Sequence, residues 1–267
     1  MAESVATTDL PDSLLQALED LASVPRLLVA LDFDGTLAPE VDDPELARAV
    51  PEARTAVLRL LGLADTRVAL VSGRALRSLE HVSGLPDEVL LVGSHGVELL
   101  LDSPDIEVAL EPHEQEQREV LSDVLDQVAD AVNEVWIEEK PAGFALHTRL
   151  ATEKNSRIAH LVALQEVQAE VENVKVRSGK DVLEFSVRST TKGEAVEHLR
   201  QYTHSSAVFY AGDDVTDEDV FVTLRPGDFG LKSGSGETGA EHRVADPMQV
   251  AHVLAKLADL REHRAQS

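Results

Sequence analysis

The chain has 267 residues, so at about 150 residues per domain it holds one large or two modest domains. A hydrophobic fraction of 43% excludes wholesale disorder, and the absence of Cys removes disulfides, thiolate metal sites and cysteine nucleophiles together. Lys plus Arg number 24 against 49 Asp plus Glu, and the resulting charge of −25 argues against nucleic acid or an anionic membrane as partner.

Apolar residues at helical spacing run from Leu14 to Leu21, with Pro25 closing the segment. Leu27 to Leu31 is a five-residue apolar run suited to a buried parallel strand, and it ends in Asp32-Phe33-Asp34-Gly35-Thr36. A helix follows from Glu52 to Leu61. Val68 to Val71 then runs into Ser72-Gly73-Arg74 and a short helix to His81, and Val89 to Val92 runs into Gly93-Ser94-His95-Gly96. This alternation predicts a parallel sheet with helices on both faces.

From Glu111 the rhythm changes. Glu114 to Glu134 reads as one long acidic helix with a solvated face, and Trp136 to Glu139 and Gly143 to Thr148 as two strands around Pro141-Ala142-Gly143. A helix over Glu153 to Leu164 precedes a second strand pair, Val171 to Val176 and Val182 to Val187, around a turn at Ser178-Gly179. The sole Trp, Trp136, is expected to pack in the core. After Lys192-Gly193 the parallel rhythm resumes with a helix over Glu194 to Arg200, a strand over Ala207 to Ala211, Gly212-Asp213-Asp214, and a helix starting at Asp217. Phe229 to Lys232 is expected as an edge strand and Pro247 to Leu260 as a terminal helix.

The fold class is therefore α/β, a Rossmann-like parallel sheet core with an inserted α-β-β-α-β-β cap domain. The expected boundaries are 1–110 and 188–267 for a discontinuous core and 111–187 for the insertion. The N-terminus carries no basic targeting cluster, and no apolar run reaches the ~18 residues of a membrane span, so the expected location is cytoplasmic.

Ligands of open parallel sheets bind beyond the carboxyl ends of the strands. Three predicted strands end there in Asp32/Asp34, Ser72 and Asp213/Asp214, and a fourth leads to His95-Gly96. Carboxylates gathered at such ends call for a cation, and without thiolates the fitting one is Mg²⁺, a hard ion that takes oxygen ligands. Asp32 and Asp34 also form a chemical pair: one carboxylate can attack phosphorus while its neighbour protonates the leaving oxygen and later activates water. Gly35 permits the tight turn, Thr36 offers a hydrogen bond to the phosphoryl group, and Ser72 and Lys192 supply donors where negative charge must be held. Only the joint occurrence of these motifs, each at a strand end or helix start, separates an active site from ordinary turns.

Leu31-Asp32-Phe33-Asp34-Gly35-Thr36-Leu37, Ser72, Lys192 and Asp213-Asp214 resemble the four motifs of haloacid-dehalogenase-like hydrolases. The resemblance implies Asp32 as nucleophile, Asp34 as general acid and base, and Ser72 and Lys192 as phosphoryl-binding groups. Mg²⁺ would lie on Asp32, the Asp34 backbone carbonyl and Asp213, with Asp214 in support. A closer likeness, to trehalose-6-phosphate phosphatases, lies in Ser72-Gly73-Arg74, Gly93 to Glu98, Lys140 to Arg149, Gly179 to Glu184, Gly212 to Glu218 and Lys232 to Thr238. Thr148 departs from the Tyr that the family often has between His and Arg.

That likeness implies Mg²⁺-dependent hydrolysis of trehalose 6-phosphate in trehalose biosynthesis. The core would hold the chemistry, and a mobile cap would exclude water and choose the sugar. Substrate contacts are expected from Gly35, Thr36, Gly73, Arg74, His95, Glu98, Lys140, His147, Arg149, Lys180 and Glu184. Arg74 is either a scaffold paired to an Asp or a sugar contact, Glu98 either a substrate contact or a hinge anchor, and Lys232 a candidate partner of site carboxylates. Period-2 spacing puts His147 and Arg149 on one face and Thr148 on the other. The expected state is a monomer working with a small-molecule substrate and linked through the pathway to a trehalose-6-phosphate synthase. The alternatives are another sugar-phosphate phosphatase of the superfamily, of sucrose- or mannosyl-phosphate type, and a non-catalytic sugar-phosphate-binding module.

Overall fold

The structure, a computed structural model, describes residues 10–41, 43–103, 105–108, 110–179, 181–188 and 190–265. The chain divides into two compact units, one from the described residues of Met1–Gly96, Leu100–Pro104 and Thr191–Ser267, the other from those of Val97–Leu99 and Asp105–Thr190.

The first unit opens with α1 (Asp12–Ala22), β1 (Leu27–Leu31), α2 (Pro51–Leu61), β2 (Thr66–Val71), α3 (Leu76–Ser83) and β3 (Leu90–Gly93). Two short strands at the divide, β4 (Glu98–Leu100) and β5 (Glu107–Val108), pair antiparallel. The second unit holds α4 (Pro112–Ala131), β6 (Trp136–Lys140), β7 (Gly143–His147), α5 (Glu153–Glu170), β8 (Lys175–Gly179) and β9 (Val182–Ser186). The first unit then resumes with α6 (Lys192–Thr203), β10 (Ala207–Gly212), α7 (Glu218–Phe221), β11 (Phe229–Ser233), β12 (His242–Val244) and α8 (Pro247–Ala265).

Six strands of the first unit lie side by side in the order β12-β11-β10-β1-β2-β3, all parallel. The central strand β1 is buried at every residue, which is why it reads as an unbroken apolar run and not as an alternation. Its odd residues Leu27, Val29 and Leu31 join a core with Leu18 of α1, Val57 and Leu60 of α2 and Leu254 and Leu257 of α8. On the other face α6 packs against β1 and β2. The register Leu31↔Ala211 and Leu31↔Leu70 brings Asp32, Ser72 and Gly212 to the same sheet end.

The second unit is an antiparallel sheet of order β6-β7-β9-β8 with α4 and α5. Phe144, Leu146, Leu183 and Phe185 form its core with Leu121, Leu125 and Val128 of α4 and Ala159, Ala163 and Val167 of α5. The apolar positions Ala163 and Val167 continue the α5 stripe, so the helix runs on to Glu170 and the expected strand at Val171 begins instead at Lys175. The hairpin turn falls at Asp181, which adopts φ +59°, because Gly179 already pairs with Val182. Phe229 to Ser233 is not the sheet edge, since β12 lies outside it. At three residues, β12 is too short to show a period in sequence.

Candidate active site

Asp32 follows β1 directly and is held in line by its N–H, which donates to the Ala211 carbonyl at 2.9 Å. Lys192 meets it from the first turn of α6. A capping box fixes that turn: Thr191 Oγ1 accepts from the Glu194 N–H at 3.2 Å, and Glu194 Oε2 accepts from the Thr191 N–H at 3.0 Å. The Lys192 ammonium, 3% exposed, donates to Asp32 Oδ1 at 2.8 Å and Asp217 Oδ1 at 2.7 Å.

Asp213 completes the cluster, for Asp32, Asp213 and Asp217 each present an oxygen within 4.8 Å of the others. Gly35 makes room for it. This residue adopts φ +70°, and a Cβ there would stand 2.0 Å from Asp213 Oδ2. Thr36, fully buried, directs Oγ1 to Asp213 Oδ1 at 3.4 Å.

Asp217 was not among the residues the sequence singled out for the site. Its Oδ1 accepts from Lys192 and from the Tyr210 hydroxyl at 2.6 Å, and its Oδ2 from the N–H groups of Asp213 (2.9 Å) and Asp214 (2.8 Å). With both oxygens taken, Asp217 anchors the loop that carries Asp213. The Asp214-to-Asp217 spacing of a capping box was the signal in sequence. Asp214, expected to support the ion, is exposed and caps that turn by accepting from the Val215 N–H at 2.7 Å. Lys232 donates to the Asp213 backbone carbonyl and faces Glu218 at 3.7 Å.

Burial pushes the Asp32 carboxyl well above its ordinary range, Lys192 opposes that rise, and Asp217 and Asp213 add to it. Burial likewise raises Asp213, to about 6, against a hydrogen bond with Asp32 and with a further push from Asp217. Burial would lower Lys192, but Asp32 and Asp217 outweigh it and raise the ammonium's pKa. Three carboxylates thus face one ammonium, a surplus of negative charge on an all-oxygen donor set. That fits a hard dication such as Mg²⁺ held by Asp32 and Asp213.

Asp34 lies two residues beyond Asp32, and Arg74 grips its carboxylate with both arms. Nε reaches Oδ2 and Nη2 reaches Oδ1, each at 2.6 Å. This is the pairing to an Asp that one of the two sequence readings of Arg74 expects. Ser72, buried, accepts from the Arg74 N–H at 3.2 Å. His95 adopts φ 57° and donates its N–H to the Ser72 carbonyl at 3.0 Å. Its ring lies against Gly73, where a Cβ would come within 2.6 Å of His95 Cε1.

In the second unit, the register Trp136↔His147, Lys140↔Gly143 and Ala145↔Glu184 puts Trp136, Lys140, His147 and Glu184 on one sheet face, opposite the helices. Trp136 is not in the core. It is 38% exposed and stacks on His147 at 5.0 Å and 8°, because β6 is an edge strand whose even-numbered residues point away from α4 and α5 while Ile137 points toward them. Glu138 accepts from Lys140 at 2.5 Å and hydrogen-bonds His147 at 2.8 Å; burial would raise its carboxyl, but these hydrogen bonds hold it below the usual range. Thr148 faces the other way. It is buried, with Oγ1 within 2.8 Å of Ser156 Oγ and 3.2 Å of His160 Nε2. Arg149 is exposed beyond the end of β7, Glu98 is buried in β4, and Lys180 lies outside the described residues.

A parallel doubly wound sheet with an acidic cluster and a buried lysine at the strand ends is a fold shared with a haloacid dehalogenase-like hydrolase of Bacteroides thetaiotaomicron, whose structure superposes with a TM-score of 0.60 at 16% identity, covering 87% of this chain and 99% of the other. The sequence matches the family model for trehalose-phosphatase over residues 30–251, and the chain belongs to that family. A trehalose-phosphate phosphatase of Mycobacterium ulcerans is 32% identical over 94% of this chain and 66% of its own length. A bifunctional trehalose-6-phosphate synthase/phosphatase of Thermoproteus tenax is 32% identical over 89% of this chain, which spans only 33% of that protein. The structure of Aspergillus fumigatus trehalose-6-phosphate phosphatase superposes with a TM-score of 0.70 at 24% identity, covering 94% of this chain and 98% of the other. Among the described residues, no helix is long and apolar enough to cross a membrane.

Proposed function

We propose that this chain hydrolyses trehalose 6-phosphate to trehalose and phosphate through an aspartyl phosphate on Asp32. The observation that carries the reading is the convergence of Lys192 on Asp32 at 2.8 Å within the same acidic cluster as Asp213, in a chain of the trehalose-phosphatase family. Asp32 Oδ attacks phosphorus, the bond from phosphorus to the sugar oxygen breaks, and the Asp34 carboxyl gives that oxygen its proton. A water then attacks the aspartyl phosphate as Asp34 takes a proton from it, which releases inorganic phosphate and restores the Asp32 carboxylate. Ser72, Gly35 and Thr36 line the phosphoryl position, and Lys192 offsets charge that builds on it. Asp32 and Asp213 would hold Mg²⁺, which would supply Lewis-acid charge neutralisation to the phosphoryl group.

The open sheet face of the second unit, with Lys140, His147 and Glu184, supplies directed polar groups of the kind that sugar hydroxyls require. The substrate comes from a synthase reaction, as the fused synthase/phosphatase of T. tenax suggests, and the site of action is the cytoplasm. The test is phosphate release from a panel of sugar phosphates, with Mg²⁺ or with a chelator, on wild type and Asp32→Asn. Trehalose 6-phosphate should be turned over fastest, and chelation or Asp32→Asn should abolish release. Faster turnover of sucrose or mannosyl phosphates would reassign the substrate, and binding without release would leave a non-catalytic module.

A further inference from the structure

We propose that Arg74 is the positioning residue of the proton-transfer step: its guanidinium fork sets the plane of the Asp34 carboxylate. The proposal rests on the reading of Asp34 as acid and base. Two parallel bonds of 2.6 Å, Nε to Oδ2 and Nη2 to Oδ1, remove the rotational freedom that a carboxylate on a single β-carbon otherwise has. Each oxygen keeps one lone-pair direction facing away from the fork, so the proton is confined to the side of the carboxyl turned from Arg74. The Asp34 side chain is 36% exposed against 11% for Arg74, which leaves the acid reachable and the clamp enclosed.

The clamp is itself braced on every side. Arg74 Nη1 donates to Ser78 Oγ at 3.3 Å, and that hydroxyl donates on to Glu45 Oε1 at 3.0 Å. The guanidinium carbon stands 5.9 Å from the centroid of the buried Phe33 ring, the residue between Asp32 and Asp34. The Arg74 main chain is fixed as well, its N–H donating to Ser72 Oγ at 3.2 Å and its carbonyl accepting from the Ser94 N–H at 2.7 Å. A side chain tied at its backbone and at all three guanidinium nitrogens is a fixture and not a mobile sugar contact. Lys at this position would keep the charge and lose the fork.

The consequence depends on the leaving group. A sugar alkoxide needs the proton from Asp34 as it departs, whereas p-nitrophenolate leaves without one. Both substrates then need Asp34 as base to hydrolyse the aspartyl phosphate. In Arg74→Gln, turnover of trehalose 6-phosphate should fall about 100-fold, within the range of general acid–base catalysis. With p-nitrophenyl phosphate the first turnover should stay within about threefold of wild type and appear as a burst of p-nitrophenolate before a slow steady state. The burst counts active sites, so a fraction of unfolded variant lowers its amplitude and leaves its rate intact. Arg74→Lys should recover less than about a tenth of the lost turnover. Equal losses on both substrates without a burst, or full recovery in Arg74→Lys, would overturn the proposal. Asp34→Asn run in parallel separates the two claims: if it shows the alkoxide-selective loss and Arg74→Gln does not, only the clamp fails. If Asp34→Asn retains full turnover, the acid–base reading fails and the clamp with it.

Discussion

Asp213 stands where a glycine has cleared space for it, above Gly35 with φ +70°. Burial and the neighbouring Asp217 raise its carboxyl to about 6, above the ordinary 3.8 of an unfolded Asp. The sign of the linkage follows. Between these values the folded protein binds a proton that the unfolded chain does not, so the metal-free fold gains stability as pH falls from 7 through 6 towards 4. Above pH 6 the carboxylate is ionised in both states, and its desolvation weighs fully against the fold. Metal-free Asp213→Asn should therefore melt above wild type at pH 7, and the gap should narrow as pH drops to 5. Melting curves of both proteins in chelator across pH 5–8 check this, and a gap that widens on acidification would reject it. The same residue shows what the chain discloses and what it conceals. The carboxylates after β1 and β10 stand out because charge at the end of a buried strand is costly without a use. Asp217 was harder to read, since its role depends on the Tyr210 hydroxyl and the Lys192 ammonium, 7 and 25 residues away in sequence.

Elements with a long period were legible: β1 kept its expected bounds, and α2 and α6 differ from expectation at their ends. Those defined by pairing were not, for β4, β5 and β12 hold three, two and three residues. Trp136 shows a related limit, because the side of an edge strand that meets helices is decided by the partner strands and not by the residue's own hydrophobicity. Helix α8 depends on a contact of the same hidden kind. Arg261 is 8% exposed, and among the described residues its hydrogen bonds go to a hydroxyl and to main-chain carbonyls. Nε donates to Thr66 Oγ1 at 2.9 Å, Nη1 to the Ala22 and Val24 carbonyls at 3.3 and 3.2 Å, and Nη2 to the Asp65 carbonyl at 3.1 Å. The acceptors are the carbonyls at the end of α1 and the entry to β2, so one side chain ties three elements. Arg261→Met fills similar volume but strands these carbonyls, at a cost of about 2–4 kcal/mol. Thr66 begins β2 while Ser72 follows its end, so the change lies at the opposite edge of the sheet from the acidic cluster. Denaturant unfolding should show the loss while turnover at 25 °C stays near wild type. An unchanged midpoint would mean that water replaces the guanidinium.

At the scale of the whole molecule the dominant fact is a charge of −25. Helix α4 concentrates part of it, with Glu116, Glu119, Asp123, Asp126 and Asp130 exposed along its length. Surface pairs such as Arg67–Asp102 and Arg59–Asp259 lose strength in salt, but each contributes at most about 1 kcal/mol. With 24 basic residues against 49 acidic ones, most carboxylates have no such partner, and like-charge repulsion outnumbers pairing. Unfolding spreads those charges apart, so repulsion acts against the compact state and salt should relieve it. The screening length contracts from about 10 Å at 0.1 M to about 3 Å at 1 M, short enough to separate neighbours on one helix face. Raising NaCl from 0.1 to 1 M in chelator should therefore raise the melting temperature, by about 2–4 °C for each kcal/mol of repulsion removed. Replacing NaCl with an uncharged osmolyte of equal osmolarity separates screening from preferential exclusion. A melting temperature that falls with NaCl would show instead that the ion pairs, few as they are, outweigh the repulsion among the carboxylates. The acidic surface would then stabilise the fold through its local partners.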